Sequence, residues 1–181
     1  MRVISGVARG RKLKEPLGEK IRPTSDKVKE SIFNIIQFDI EGRRVLDLFA
    51  GTGQFGIEAL SRGARSVVFV DSASEAVKLV KENLSMTGFS DVASVYGRDA
   101  LRFLESDEKF DLIFVDPPYD TKLAEQAVQK IAQFDKLNFN GIIICELKAD
   151  SQSPAVAPPY SLQKEYKYGS VKVLRYTRES P

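Results

Sequence analysis

The sequence has no histidine, no tryptophan and a single cysteine among its 181 residues. Without histidine there is no Ser-His-Asp or Cys-His pair to activate a nucleophile, and no His- or Cys-based zinc site can be assembled; no metal is expected. One thiol excludes an intrachain disulfide, and so thiol-poor a chain fits a reducing cytoplasm. No apolar run approaches the ~18 residues of a membrane span. The opening MRVISGVARGRKLK carries charge where a signal peptide needs an apolar stretch. The expectation is a cytoplasmic, monomeric protein that meets no membrane. Its 43% hydrophobic and 29% charged residues fit one domain with a small appendage. Its chemistry must come from carboxylates, lysines, tyrosines, hydroxyls, backbone groups or a bound cofactor.

The net charge is only +2, yet it is unevenly placed. Residues 1–22 hold Arg2, Arg9, Arg11, Lys12, Lys14, Lys20 and Arg22 against Glu15 and Glu19, so the rest of the chain is slightly acidic. A basic arm on an acidic body suits phosphate binding, since each lysine or arginine on a phosphate releases a condensed counterion. A solvated surface hairpin is the plainer alternative. Residues 2–5 and 11–14 are short extended segments around a Gly6 to Gly10 turn, and the arm is therefore drawn as a hairpin over residues 1–22, with the remaining domain over 23–181.

In RPTSDKVKESIFNII, Thr24 or Ser25 can cap a helix whose Val28, Ile32, Ile35 and Ile36 form an apolar stripe. Strand and helix then alternate. Strands are expected at 44–49, 66–71, 92–96, 110–116 and 141–147, with helices from about Gln54, over 73–86, near Leu101 and over 122–133. The runs at 67–70 and 142–145 are apolar without alternation, as in a parallel sheet covered on both faces. After a proline-containing loop at 151–159, strands at about 160–168 and 171–177 meet in a tight turn at Tyr168-Gly169-Ser170 and are therefore antiparallel. The fold class is α/β: a Rossmann-like sheet of seven strands, five parallel plus an antiparallel C-terminal hairpin.

DLFAGTGQFG places Gly51, Gly53 and Gly56 as G-x-G-x-x-G between a strand and a helix, with Asp71 ending the next strand. Glycines let the backbone come close to a ligand, and the Asp71 carboxylate can accept from ribose hydroxyls. This spacing alone fits an NAD-dependent oxidoreductase, or glycines that serve helix packing only. Asp47, within the first strand, argues against a dinucleotide: its carboxylate suits a sulfonium or ammonium and would repel a pyrophosphate. Asp99 can accept from an adenine amino group while the Ala100 amide donates to the ring, or it can simply cap a helix.

FVDPPYD follows the fourth strand, beside the strand that carries the glycine loop, where ligands of open α/β sheets collect. Pro117 and Pro118 fix φ and withhold N–H groups, so the Pro117 carbonyl and the Asp116 carboxylate present acceptors at set positions. Tyr119 offers a face on which a base can stack. Two fixed acceptors would hold an exocyclic amino group and leave its lone pair for an electrophile. A Pro-Pro turn ending a strand is the alternative.

Taken in order, RVISG, RGRKL, RPTSDKVKESIFNII, DLFAGTGQFGIEALSRGA, GRDA and DPPY resemble the bacterial small-subunit (16S) ribosomal RNA guanine-N2 methyltransferases, class I enzymes that use S-adenosylmethionine and release S-adenosylhomocysteine. The resemblance spans nearly the whole chain, and the RPT segment narrows it, since DPPY is shared with enzymes that methylate adenine or cytosine of RNA or DNA. It implies that Asp47, Phe49, Gly51 and Gly53 surround the methionine part of the cofactor. Asp71 would hold the ribose, and Asp99 and Ala100 the adenine. Asp116, Pro117, Pro118 and Tyr119 would hold the target guanine. Arg2, Arg9, Arg11, Lys12, Lys14, Arg22 and Lys29 would meet ribosomal RNA, free or within an assembling small subunit. The chain departs from the family pattern in having lysine at Lys29 where arginine is usual, aspartate at Asp71 where glutamate is usual, and Ala73 and Ser74 in place of an acidic and basic pair.

Overall fold

Apolar runs that do not alternate need cover on both sides, and the tertiary structure supplies it. The computed structural model describes residues 1–16, 26–117 and 122–179. Five helices, α1 (Asp26–Ile35), α2 (Gln54–Ser61), α3 (Ser74–Thr87), α4 (Ala100–Phe103) and α5 (Leu123–Gln133), pack on a seven-stranded sheet. Its strands are β1 (Arg44–Asp47), β2 (Ser66–Asp71), β3 (Ala93–Gly97), β4 (Phe110–Val115), β5 (Leu137–Lys148), β6 (Tyr160–Tyr168) and β7 (Val171–Arg178). The spatial order is β3-β2-β1-β4-β5-β7-β6. The first five run parallel, and β7 is antiparallel to both β5 and β6.

The period of two sorts the core into layers. Val45, Val67, Phe69, Leu112, Phe114, Ile142 and Ile144 point to the face covered by α1, α2 and α3. Leu46, Val68, Val70, Ile113, Val115, Ile143 and Cys145 point to the face covered by α4 and α5. α2 approaches the sheet through Gly56, where a Cβ would lie 2.2 Å from the Phe69 ring. β5 begins four residues before the expected 141, because Leu137 pairs with Phe110 ahead of an irregularity in the ladder; the polar Asn138 and Asn140 hide that start. The expected caps Thr24 and Ser25 lie outside the described residues.

The basic arm is a short hairpin, with Arg2 bridged to Lys12 and the Val3 amide donating to the Arg11 carbonyl at 2.9 Å. Val3, Ala8 and Leu13 belong to the same core as α1 and α2. At Gly6, φ is +80° and a Cβ would lie 1.8 Å from the Ser61 carbonyl oxygen, so only glycine lets the turn rest on the end of α2. Beneath the hairpin Glu58 of α2 is buried: one carboxylate oxygen accepts from the Ile4 amide at 2.8 Å, the other from the Ser5 amide and Arg62 Nε, both at 2.9 Å. Lys29 Nζ of α1 lies 3.7 Å from the same carboxylate and donates to the Arg2 carbonyl at 2.7 Å.

Lys29 therefore corrects the expectation that it meets RNA: it is 0% exposed. Its stripe position on α1 turns it inward, where it neutralises Glu58. Burial lowers its pKa, opposed by the negative charge of Glu58.

Candidate active site at the carboxyl edge of the sheet

β1, β2 and β4 end side by side; Asp47 and Asp71 are the last residues of β1 and β2, and Phe49, Gly51, Gly53 and Asp116 lie on the segments that leave β1 and β4. Asp47 closes β1 and is 2% exposed; one of its oxygens accepts from the Gly56 amide at 3.0 Å. Burial lifts its carboxyl to about 7, offset in part by that amide. The chain then turns through half-buried Phe49 into the glycine loop. The Gly53 amide donates to the Ala50 carbonyl at 2.7 Å, and Gly53, at φ +79°, leads into α2.

Asp71 ends β2 and reaches back to the loop. One oxygen accepts from the Gly51 amide and the other from the Ala73 amide, both at 2.9 Å. Each oxygen keeps a further lone pair for a hydroxyl. Gly51 has φ +54°, and a Cβ there would meet nothing within 4 Å. The loop thus offers bare backbone next to a carboxylate, which suits a ribose-bearing ligand with a compact cationic tail. Asp99 caps α4 by accepting from the Arg102 amide at 2.9 Å, with Ala100 as the first helical residue. The capping reading of Asp99 is thus realised, through one of its two oxygens.

Asp116 and Pro117 follow β4 directly. Asp47 is paired with Phe114 across the β1–β4 ladder, so Asp116 lies two residues beyond that pair on the same face. Burial raises the Asp116 carboxyl well above its ordinary value, and the charges of Glu146 and Asp47 raise it further. Pro118 and Tyr119 lie outside the described residues, as do Lys20 and Arg22. Of the arm cations, Arg2 lies 3.4 Å from Asp26, Arg11 donates to the Met86 carbonyl at 2.7 Å, and Lys14 pairs with Glu82 at 2.9 Å. Arg9 and Lys12 are exposed.

Three residues of this region escaped the sequence reading. Asn83 of α3 is buried, donates to the Thr52 carbonyl at 2.9 Å and accepts from the Lys14 amide at 2.7 Å, so it ties arm to glycine loop. Glu58 anchors the hairpin. Glu146 lies within β5 at 3% exposure, beside Asp116. A charge inside the apolar GIIICEL was the available signal for Glu146, and a charge inside FGIEAL, on a helix buried from Phe55 to Ser61, was the signal for Glu58; Asn83, on amphipathic α3, gave none.

This site and sheet define a class I methyltransferase architecture. A dinucleotide-binding sheet has the order 3-2-1-4-5-6, whereas here antiparallel β7 is inserted between β5 and β6, which removes the oxidoreductase alternative. Residues 1–177 match the family described as Conserved hypothetical protein 95, and the chain belongs to that family. Ribosomal RNA small subunit methyltransferase D of Haemophilus influenzae is 37% identical, covering 97% of this chain and 93% of that protein. The protein YlbH of Bacillus subtilis is 41% identical over 98% of this chain and 99% of its own length. Among solved structures, the Escherichia coli protein yhhF superposes with a TM-score of 0.89 at 31% identity, covering 100% of this chain and 99% of that one.

Proposed function

We propose that this protein transfers a methyl group from S-adenosylmethionine to the exocyclic N2 amino group of a guanine in small-subunit ribosomal RNA. The observation that carries the reading is the placement of Asp116 and Pro117 at the end of β4, next to the β1 glycine loop. Relatives named Ribosomal RNA small subunit methyltransferase D, which align over nearly the whole chain, support the choice of RNA.

In this reading Asp47, Phe49, Gly51 and Gly53 hold the methionine part of the cofactor, Asp71 its ribose, and Asp99 and Ala100 its adenine. When bound, S-adenosylmethionine would supply an electrophilic methyl on a sulfonium sulfur, with neutral S-adenosylhomocysteine as the leaving group. The protein's own part is to hold the amino group. The Pro117 carbonyl and Asp116 carboxylate accept its two N–H donors, Pro118 and Tyr119 of the same DPPY segment are assigned with them to the target guanine on the sequence alone, and Asp116 takes the proton and passes it to water. Positioning of two bound reactants supplies on the order of 7–11 kcal/mol. Guanine N2 is buried in a stacked pair, so the target nucleotide is unpaired or turned out.

Incubation with labelled S-adenosylmethionine and small-subunit ribosomal particles from a strain lacking the gene, followed by nucleoside analysis, is expected to yield N2-methylguanosine. Label in an adenine or cytosine nucleoside overturns the base assignment, and label in no RNA overturns the reading.

Asp71→Ala is expected to weaken S-adenosylhomocysteine binding by roughly 1.5–3 kcal/mol, the range for a hydrogen bond to a charged group. The Gly51 and Ala73 amides also lose their acceptor, which places the expected loss in the upper part of that range. Calorimetry of the folded variant checks this, and an unchanged Kd sinks the ribose assignment.

The arm positions RNA by its phosphates. Deletion is a poor test, because Val3, Ala8 and Leu13 are core residues. Neutralising exposed Arg9 and Lys12 together is expected to lower the slope of log affinity against log salt by about 0.7 to 0.9 for each phosphate left without its cation, with cofactor binding unchanged. An unchanged slope would make both cations solvated surface.

A further inference from the structure

The glycine loop owes part of its shape to contacts from outside it. Thr52 stands between Gly51 at φ +54° and Gly53 at φ +79°, and a residue flanked by glycines inherits little restraint from its own chain. The two glycine amides have near partners, Gly51 in the Asp71 carboxylate at 2.9 Å and Gly53 in the Ala50 carbonyl at 2.7 Å. The Thr52 carbonyl instead accepts from Nδ2 of Asn83 on α3 at 2.9 Å, 31 residues away in the chain.

Asn83 is 0% exposed. Its Nδ2 also donates to the Lys14 carbonyl at 3.1 Å, and its Oδ1 accepts from the Lys14 amide at 2.7 Å. That exchange has the form of a backbone pair between antiparallel strands, made here by a side chain. It also fixes which way the amide points, since a reversed amide would set Oδ1 against two carbonyls. Thr52 meets the arm a second time: its Oγ1 donates to Met1 Sδ at 3.4 Å, and the Met1 carbonyl accepts from the Leu13 amide at 3.1 Å. Both ends of the hairpin thus close on the middle residue of the glycine loop. Thr87, one turn along α3, shows the contrast of a polar residue that serves its own helix, donating to the Asn83 and Leu84 carbonyls at 2.7 and 3.2 Å.

We propose that Asn83 is a positioning residue for the cofactor: through it the docked arm holds Thr52 and keeps the glycine loop in the shape that receives S-adenosylmethionine. The inference rests on the methyltransferase reading above. A loop fixed in advance spares the cofactor the cost of ordering it. A loop freed of that hold is competent only part of the time, and the apparent affinity falls by that fraction. With the cofactor in place the loop is ordered, so the transfer step itself does not depend on Asn83. Linkage is reciprocal, and a bound cofactor therefore tightens the seat of Lys14 in turn.

The test is calorimetry with S-adenosylhomocysteine beside single-turnover transfer to small-subunit ribosomal particles. Asn83→Ala is expected to raise the Kd roughly tenfold, the effect of a loop competent a tenth of the time, while the rate at saturating S-adenosylmethionine stays within about twofold of the parent. Thr87→Val is expected to lose stability in urea and to keep the parent's Kd. Asn83→Asp keeps the acceptor for the Lys14 amide and removes the donors; it is expected to raise the Kd as alanine does and carries the test should the alanine variant not fold. Hydrogen exchange in the parent needs no variant. Added S-adenosylhomocysteine is expected to slow the Lys14 amide by more than the Val3 amide, which bonds to Arg11 within the hairpin.

An unchanged Kd in the folded variants, or a Lys14 amide that responds no more than that of Val3, overturns the inference. So does a rate that falls at saturating cofactor, which would put Asn83 in the chemical step. A parent that binds S-adenosylhomocysteine with this dependence but labels no RNA keeps the hold on the loop and overturns the RNA reading instead, and a parent that does not bind it overturns both.

Discussion

Asp116→Asn is expected to bind S-adenosylhomocysteine as the parent does and to transfer methyl roughly 10²–10⁴-fold more slowly in a single turnover, the range for loss of a positioned proton acceptor. Asparagine keeps the size of the side chain and one acceptor oxygen, so the amino group can still be held. It cannot take the proton. The same substitution is expected to stabilise the fold at neutral pH. The Asp116 carboxyl is held above its ordinary value of 3.8 by burial first and by Glu146 and Asp47 next. A carboxyl raised in the folded state binds protons more tightly there than in the unfolded chain, so the parent loses stability as pH rises from that ordinary value toward the raised one. The variant escapes this loss. Rapid-quench assays with labelled cofactor and urea melts at pH 3 and pH 7 check both halves. Turnover within a few-fold of the parent removes the proton-acceptor role, and a variant less stable than the parent at pH 7 removes the electrostatic cost.

Glu58→Ala is expected to cost about 3–5 kcal/mol of folding stability, the magnitude for breaking a buried ion pair from one side. The change strands Lys29 as a buried cation and leaves the Ile4 and Ser5 amides and Arg62 without their acceptor. The double variant Lys29→Met with Glu58→Leu is expected to recover only part of the loss. It removes both buried charges, yet the two amides still lack a partner. Urea titration of parent, single and double variants separates the terms. A single variant within 1 kcal/mol of the parent, on the scale of an exposed pair, would mean that water reaches the knot.

The two expectations bear on one another through the hairpin. The arm that would meet ribosomal RNA is fastened by Glu58 and, through Lys14 and Asn83, to the Thr52 carbonyl of the glycine loop. Loosening Glu58 is therefore expected to reach RNA affinity as well as stability, whereas Asp116→Asn leaves the arm in place.

Strand and helix positions were legible in the sequence because each element's burial pattern follows from its own spacing. SVVFVD and FDLIFV are apolar on both faces, and both are central parallel strands. The glycine loop was legible for the same local reason: a turn at φ +54° and +79° demands glycine at Gly51 and Gly53, and a helix closing on Phe69 demands it at Gly56. Asp71 and Asp116 stood out because they end strands of that kind. The partnership of Glu146 with Asp116 depends on which strands become neighbours, and nothing in GIIICEL states that β5 pairs with β4 or in which register. Lys29 was misread for a related reason. A lysine is ordinarily solvated, and its burial here is compensated by the carboxylate of Glu58, 29 residues further along the chain on a second helix, and by the Arg2 carbonyl of the hairpin. Charge counted along the sequence locates a basic arm, but long-range packing decides which of its neighbours face solvent and which are spent inside the fold.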